Sequence, residues 1–74
     1  MQLSELKPGH FVRWLYKDND TLLCRLRFLG RDYVSVQVVT ATEQQVLESG
    51  YGVSDVVNVS PETLRPVDWK IPNA

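Results

Sequence analysis

Between residues 10 and 40 the chain offers three runs of β-branched and aromatic residues divided by two turn signals, a rhythm that points to an antiparallel meander. The first run, His10 to Lys17, alternates His10, Val12, Trp14 and Tyr16 with Phe11, Arg13, Leu15 and Lys17. Asp18-Asn19-Asp20 follows, and such short polar side chains bond their own backbone in a hairpin turn. The second run, Leu22 to Leu29, sets Leu22, Cys24, Leu26 and Phe28 against Leu23, Arg25, Arg27 and Leu29. Every member of the first set is apolar, so that set is expected to face the core. Gly30-Arg31-Asp32 makes a second turn, and Tyr33 to Thr40 gives a third strand with Val34, Val36 and Val38 inward.

Later segments are less periodic. Pro8-Gly9 is a turn signal ahead of the first strand. Residues 41–50 hold Glu43, Gln44 and Gln45, which favour helix, in a stretch too short for an independent one. The segment is expected to be a long excursion between strands, with Val46 and Leu47 extending a strand. Residues 53–59 predict a fourth strand. Ser60-Pro61-Glu62 predicts one helical turn: serine caps it, proline suits the first position, and glutamate suits the positive end. Arg65-Pro66-Val67 predicts a short last strand, which Pro66 confines to an edge or end.

The chain has 74 residues, which allows one domain, expected over residues 1–68 with a tail at 69–74. Ordering it costs on the order of 100 kcal/mol, at roughly 1.5 kcal/mol per residue. The core must therefore be economical. The single cysteine, Cys24, excludes an internal disulfide and fits a reducing compartment. No apolar run approaches the length of a membrane span, and no secretory signal is visible. A cytoplasmic protein with no membrane partner is the expectation.

Five short strands with one helical turn before the last are the layout of an all-β, SH3-like small barrel. Pro8-Gly9-His10-Phe11-Val12, the Asp18-Asn19-Asp20 turn and Cys24-Arg25-Leu26-Arg27 resemble the opening hairpin of Tudor-type domains. Tyr51-Gly52, Val56-Val57 and Leu64-Arg65-Pro66-Val67 resemble their closing strands. The resemblance covers most of the chain, with extra residues between Val39 and Tyr51. It implies the small-barrel fold. Tudor domains hold methylated lysine or arginine in a cage of aromatic faces by cation–π attraction. Here Leu22 and Leu23 stand where that family tends to place aromatics. Tyr51 matches at the closing position, and Trp14, Tyr16 and Tyr33 are the candidate substitutes for the other cage rings.

The net charge of −1 conceals a division. Residues 1–31 carry Lys7, Arg13, Lys17, Arg25, Arg27 and Arg31 against Glu5, Asp18 and Asp20, whereas residues 32–74 carry two basic against six acidic residues. His10 and Cys24 make neither a metal site nor a catalytic set, because zinc takes three or four protein ligands and a catalytic histidine needs a nucleophile or an orienting acid. No cofactor is expected. Phe11, Arg13, Leu15, Arg25 and Arg27 share the outward faces of the first two strands, and Trp69 follows the last strand. That mixture of apolar groups and arginine has the composition of a protein interface. The expected function is a non-enzymatic interaction module that binds a protein partner or a second copy of itself. The alternative is nucleic-acid binding through Arg13, Lys17, Arg25, Arg27 and Arg31, against which the balanced total charge weighs. A third is an enzyme whose site forms only at an oligomer interface.

Overall fold

The computed structural model describes residues 6–67. Five antiparallel strands form one sheet: β1 (Phe11–Lys17), β2 (Asp20–Leu29), β3 (Val34–Thr40), β4 (Val56–Val59) and β5 (Leu64–Pro66). Their spatial order is β4-β3-β2-β1-β5. A helix, α1 (Glu43–Ser49), separates β3 from β4, and a 3-10 turn (Pro61–Thr63) separates β4 from β5. The all-β class and the meander are as expected. The closed barrel is not observed: β4 and β5 are the two edges of an open sheet. Leu64 on one edge and Val57 and Val59 on the other nonetheless belong to one buried cluster. The sheet thus curls around its own inner face, and the 3-10 turn carries the chain from edge to edge.

Period-2 alternation fills that face. β1 contributes Val12, β2 contributes Leu22, Cys24 and Leu26, and β3 contributes Val34, Val36 and Val38, all at most 2% exposed. Leu6 seals the N-terminal side. Cross-strand register stacks Val12 on Cys24, Cys24 on Val38, and Leu26 on Val36, so side chains of the three central strands meet in layers.

Phe28 departs from the expected pattern. The register slips between Leu26, which pairs with Val36, and Phe28, which pairs with Ser35. Arg27 is the extra residue of this β-bulge, and it reverses the parity of everything after it. Phe28 joins the outer face at 55% exposure, while Leu29 turns in to pack on the core opposite Val34. Strict alternation gave Phe28 to the core and Leu29 to solvent; the bulge exchanges them. Tyr33 then packs beside Phe28, its centroid 6.3 Å away, and lies over Gly30 where a Cβ would collide with its ring.

Residues 43–49 are helical, which corrects the strand extension expected at Val46 and Leu47. The reason is local. Thr42 accepts the Gln45 N–H at 3.1 Å, and the Gln45 side chain accepts the Thr42 N–H at 3.0 Å, a full capping box. Gly50 ends the helix in the left-handed region at φ 82°, where glycine carries no Cβ penalty. The helix contains no buried residue, and Leu47 is 80% exposed. Tertiary polar contacts, not a buried stripe, must hold it in place.

The bulge gives a sharp expectation for chemical denaturation. Leu26→Ala should cost about 2–5 kcal/mol, as a fully buried leucine does. Phe28→Ser should cost no more than about 1 kcal/mol, in line with surface substitutions. Equal losses in the two variants would place Phe28 in the core and remove the bulge.

Candidate functional site

The outer face of the sheet is the side that the core leaves to solvent. Its central row runs straight across four strands: Phe11 on β1, Arg25 on β2, Gln37 on β3 and Val56 on β4. A second row places Arg65, Arg13 and Leu23 side by side on β5, β1 and β2. A third holds Phe28, Ser35 and Asn58, the last two joined by a hydrogen bond.

Four arginines stand on or beside these rows. The Arg25 guanidinium lies over the Phe11 ring, 5.0 Å from its centroid. Arg13 and Arg65 are direct cross-strand partners, an unfavourable placement of like charges. Arg65 turns one Nη onto the carbonyls of Glu62 and Leu64, at 2.7 and 3.0 Å. Arg27 stands in the bulge, exposed. Among the described residues the sole ion pair is Lys17 with Glu48, so none of these four arginines is neutralised by a carboxylate there.

Apolar groups share the face. Phe28, Val53 and Val56 are each more than half exposed, and Val39 is 38% exposed. A groove of about 270 Å³ opens between Phe11 and Arg25 on one side and Val39, Val53 and Ser54 on the other, with Gln37 and Val38 along its length. Its far wall is well tied. The Ser54 N–H donates to the Val38 carbonyl at 2.8 Å, the Val38 N–H donates to the Asp55 carbonyl at 2.9 Å, and the Gln37 amide donates to the Ser54 carbonyl at 3.1 Å. Ser54 is held at φ 77°, a strained backbone conformation for a residue with a side chain.

Phe11, Arg13, Arg25 and Arg27 thus lie together, as the alternation of the first two strands implies. Leu15 is half-buried further along β1, opposite Thr21. Trp69 and the tail lie outside the described residues. Lys17 does not join the cluster, because the register slips between Leu15 and Lys17 and its ammonium pairs with Glu48 of α1. Arg31 sits in the turn after β2, off the ladder rows. Sequence reasoning missed Gln37, Val39, Val53 and Ser54. Gln37 and Val39 were readable as outward positions of β3. Val53 and Ser54 fell within an expected strand that begins only at Val56.

Apart from Phe11, the aromatic residues among those described divide between two places. Trp14 contacts Tyr51 edge-on at 5.7 Å and Tyr16 at 6.1 Å, while Tyr33 pairs with Phe28 at the opposite end of β2. The Trp14 group is half-buried against the core and linked to α1. The Tyr16 hydroxyl donates to Asp20, the Gln45 amide donates to Asp20 and to the Thr21 carbonyl, and Lys17 donates to Glu48. The nearby cation, Lys17, lies 5.8 Å from the Tyr16 centroid. This network straps the helix to the hairpin.

Cys24 is a fully buried core residue; burial pushes its thiol up to about 12. His10 is exposed at the entry to β1, where its backbone carbonyl accepts the Leu26 N–H. Among the described residues, no group of three or more His, Cys, Asp or Glu side chains is placed to hold a metal ion, and no helix is long and apolar enough to cross a membrane. Compared with known proteins, the chain matches no family, no curated protein and no solved structure.

The strap is sensitive to acid. Hydrogen bonds from Tyr16 and Gln45 hold the Asp20 carboxyl below its ordinary 3.8, and the bond from Lys17 holds Glu48 below its ordinary 4.5. Partial burial, reinforced by Asp20, raises the Tyr16 hydroxyl. For two lowered carboxyls the attachment is fully present above their ordinary values and is lost as pH falls through the lower, folded ones. Amide exchange across residues 43–49 should therefore accelerate as pH drops below 3.8, after correction for intrinsic exchange rates. An Asp20→Asn/Glu48→Gln variant should flatten that transition, and Glu43→Gln should leave it intact. The same profile in all three proteins would show that the strap does not depend on these acids.

Proposed function

We propose that this protein is a non-enzymatic interaction module that binds another protein, or a second copy of itself, through the outer face of its sheet. The observation that carries this reading is the combination on one face of Arg13, Arg25 and Arg27, without carboxylate partners among the described residues, with exposed Phe28, Val39 and Val56. Exposed aromatic and aliphatic groups interleaved with arginine are the composition of protein interfaces. A scaffold of the SH3-like, Tudor-like kind is the finer fold proposal. It is supported by the β4-β3-β2-β1-β5 order, by the 3-10 turn joining the two edge strands, and by the single core that those edges share.

Nucleic-acid binding is the competing reading, and the face supports it less well. Its charge would serve phosphates. Yet Val39, Val53 and Val56 give a base no plane to stack on, and the total charge of −1 is not the clear basic excess of a nucleic-acid-binding domain.

A comparative capture experiment decides between them. Immobilised wild-type protein and an Arg13→Glu/Arg25→Glu variant are exposed to lysate of the native host, with and without nuclease. Partner proteins should be retained by the wild type after nuclease treatment and lost from the variant, while Asp32→Ala behaves as wild type. If self-association is the interaction, sedimentation should give a mass above 8.5 kDa for the wild type alone. Nuclease-sensitive capture would favour the competing reading. Identical retention by the charge-reversed variant, together with a monomeric wild type, would exclude this face as the interface.

A further inference from the structure

We infer that the groove beside Arg25 is a seat for an acidic peptide segment in which a carboxylate and an aliphatic side chain lie close together. The inference deepens the interaction reading above and rests on it.

The argument starts from the guanidinium. Arg25 lies 5.0 Å from the Phe11 ring centroid and, among the described residues, makes no hydrogen bond or ion pair through its N–H groups. A guanidinium fork matches a planar two-oxygen acceptor, and contact with a ring restricts the side chain that carries it. A carboxylate meets that geometry. Among the described residues, Arg25 is the one charged side chain that lines the groove. Arg13 is its diagonal neighbour, opposite Leu23 and adjacent to Arg65. An anion at Arg25 therefore meets further positive charge towards β5 and, among the described residues, no acid across the ladder.

The groove sets the second half of the specificity. At about 270 Å³ it is a shallow groove, open to solvent, with room for a peptide side chain. Val39, Val53 and the Phe11 ring supply apolar walls, and the tied Ser54 loop fixes their spacing. Val39 and Val53 meet an aliphatic group by contact and themselves give a base no plane to stack on. A phosphate could satisfy Arg25, but the neighbouring apolar walls would gain nothing from a nucleic-acid backbone. Charge and shape together thus select acidic–aliphatic peptide over nucleic acid.

The test is a titration of the full chain, isotope-labelled for NMR, with a short blocked peptide alternating aspartate and leucine. Amide shifts should concentrate at Phe11, Arg25, Gln37, Val39, Val53 and Ser54. Peptides with asparagine for aspartate or serine for leucine should bind about tenfold more weakly or worse, and an oligothymidine strand should not displace the first peptide. Arg25→Met keeps an unbranched apolar stem and should weaken binding about tenfold or more. Arg25→Lys should fall between the two, since an ammonium cannot make the paired contact. Val53→Ser removes apolar wall without touching charge and should also weaken binding.

Several outcomes overturn the groove. These are equal binding of the asparagine peptide, displacement by oligothymidine, or shifts confined to Phe28, Val56 and Arg65. The last would leave the interaction reading standing on another part of the face. Deletion of residues 68–74 that shifts the groove amides without peptide would also overturn it, because the seat would then belong to the chain's own Asp68 and Trp69. Concentration-dependent groove shifts in the protein alone would assign it to a second copy. If no peptide shifts any amide and the capture experiment also finds no partner, both proposals fall.

Discussion

A sheet has two faces, and this chain has apolar side chains enough to bury one of them. The remainder of the structure follows from that shortage. With no second layer among the described residues, the five strands curl so that Leu64 on one edge and Val57 and Val59 on the other reach the same cluster. Burial at about 25 cal/mol per Å² rewards every strand that contributes to one compact core. The opposite face keeps Phe28, Val39 and Val56 exposed. It has to carry its exposed apolar groups on a rigid frame, because the central strands beneath it are fixed by residues such as Leu22, Leu26 and Val36 that have no exposed surface.

The bulge at Arg27 decides what that face contains. Without it, Phe28 would point inward beside Leu26 and the outer end of β2 would present Leu29. With it, an aromatic ring and an arginine stand side by side at that end. A bulge also sharpens local twist, which helps a short sheet curl. One inserted residue thus serves the core and the surface together. The slip between Leu15 and Lys17 acts similarly at the other end of the hairpin, where Lys17 is paired with Glu48 of α1 and removed from the arginine cluster.

These two slips mark where the sequence ceases to be legible. Alternation within a strand reads directly, which is why Val12, Leu22, Cys24, Leu26, Val34, Val36 and Val38 are recognisable as core and Arg13 and Arg25 as surface. Register between strands is a property of two segments, and Leu26 and Phe28 look identical in a pattern of period two. The helix was hidden for another reason. Its Thr42-x-x-Gln45 box and Gly50 stop are written in the chain, but without a buried face it has no apolar periodicity to announce it. The groove combines both difficulties. Phe11 and Arg25 belong to a readable hairpin, whereas Val53 and Ser54 reach it through a loop whose backbone bonds to Val38 no local pattern encodes.

The placement of Arg13 opposite Arg65 ties stability to binding. Like charges facing one another across a ladder disfavour the folded state, and no carboxylate among the described residues relieves them. An anionic partner on this face would supply the missing countercharge, so part of its binding energy would be repulsion removed from the free protein. Salt then acts with opposite signs on the two properties. Screening weakens the Arg13–Arg65 repulsion and favours the free fold, while it also weakens attraction to the partner. A surface whose charge served only solubility would not couple them, since scattered exposed charges contribute little to folding. The outer face is thus one on which the free domain carries an electrostatic cost that complex formation can relieve.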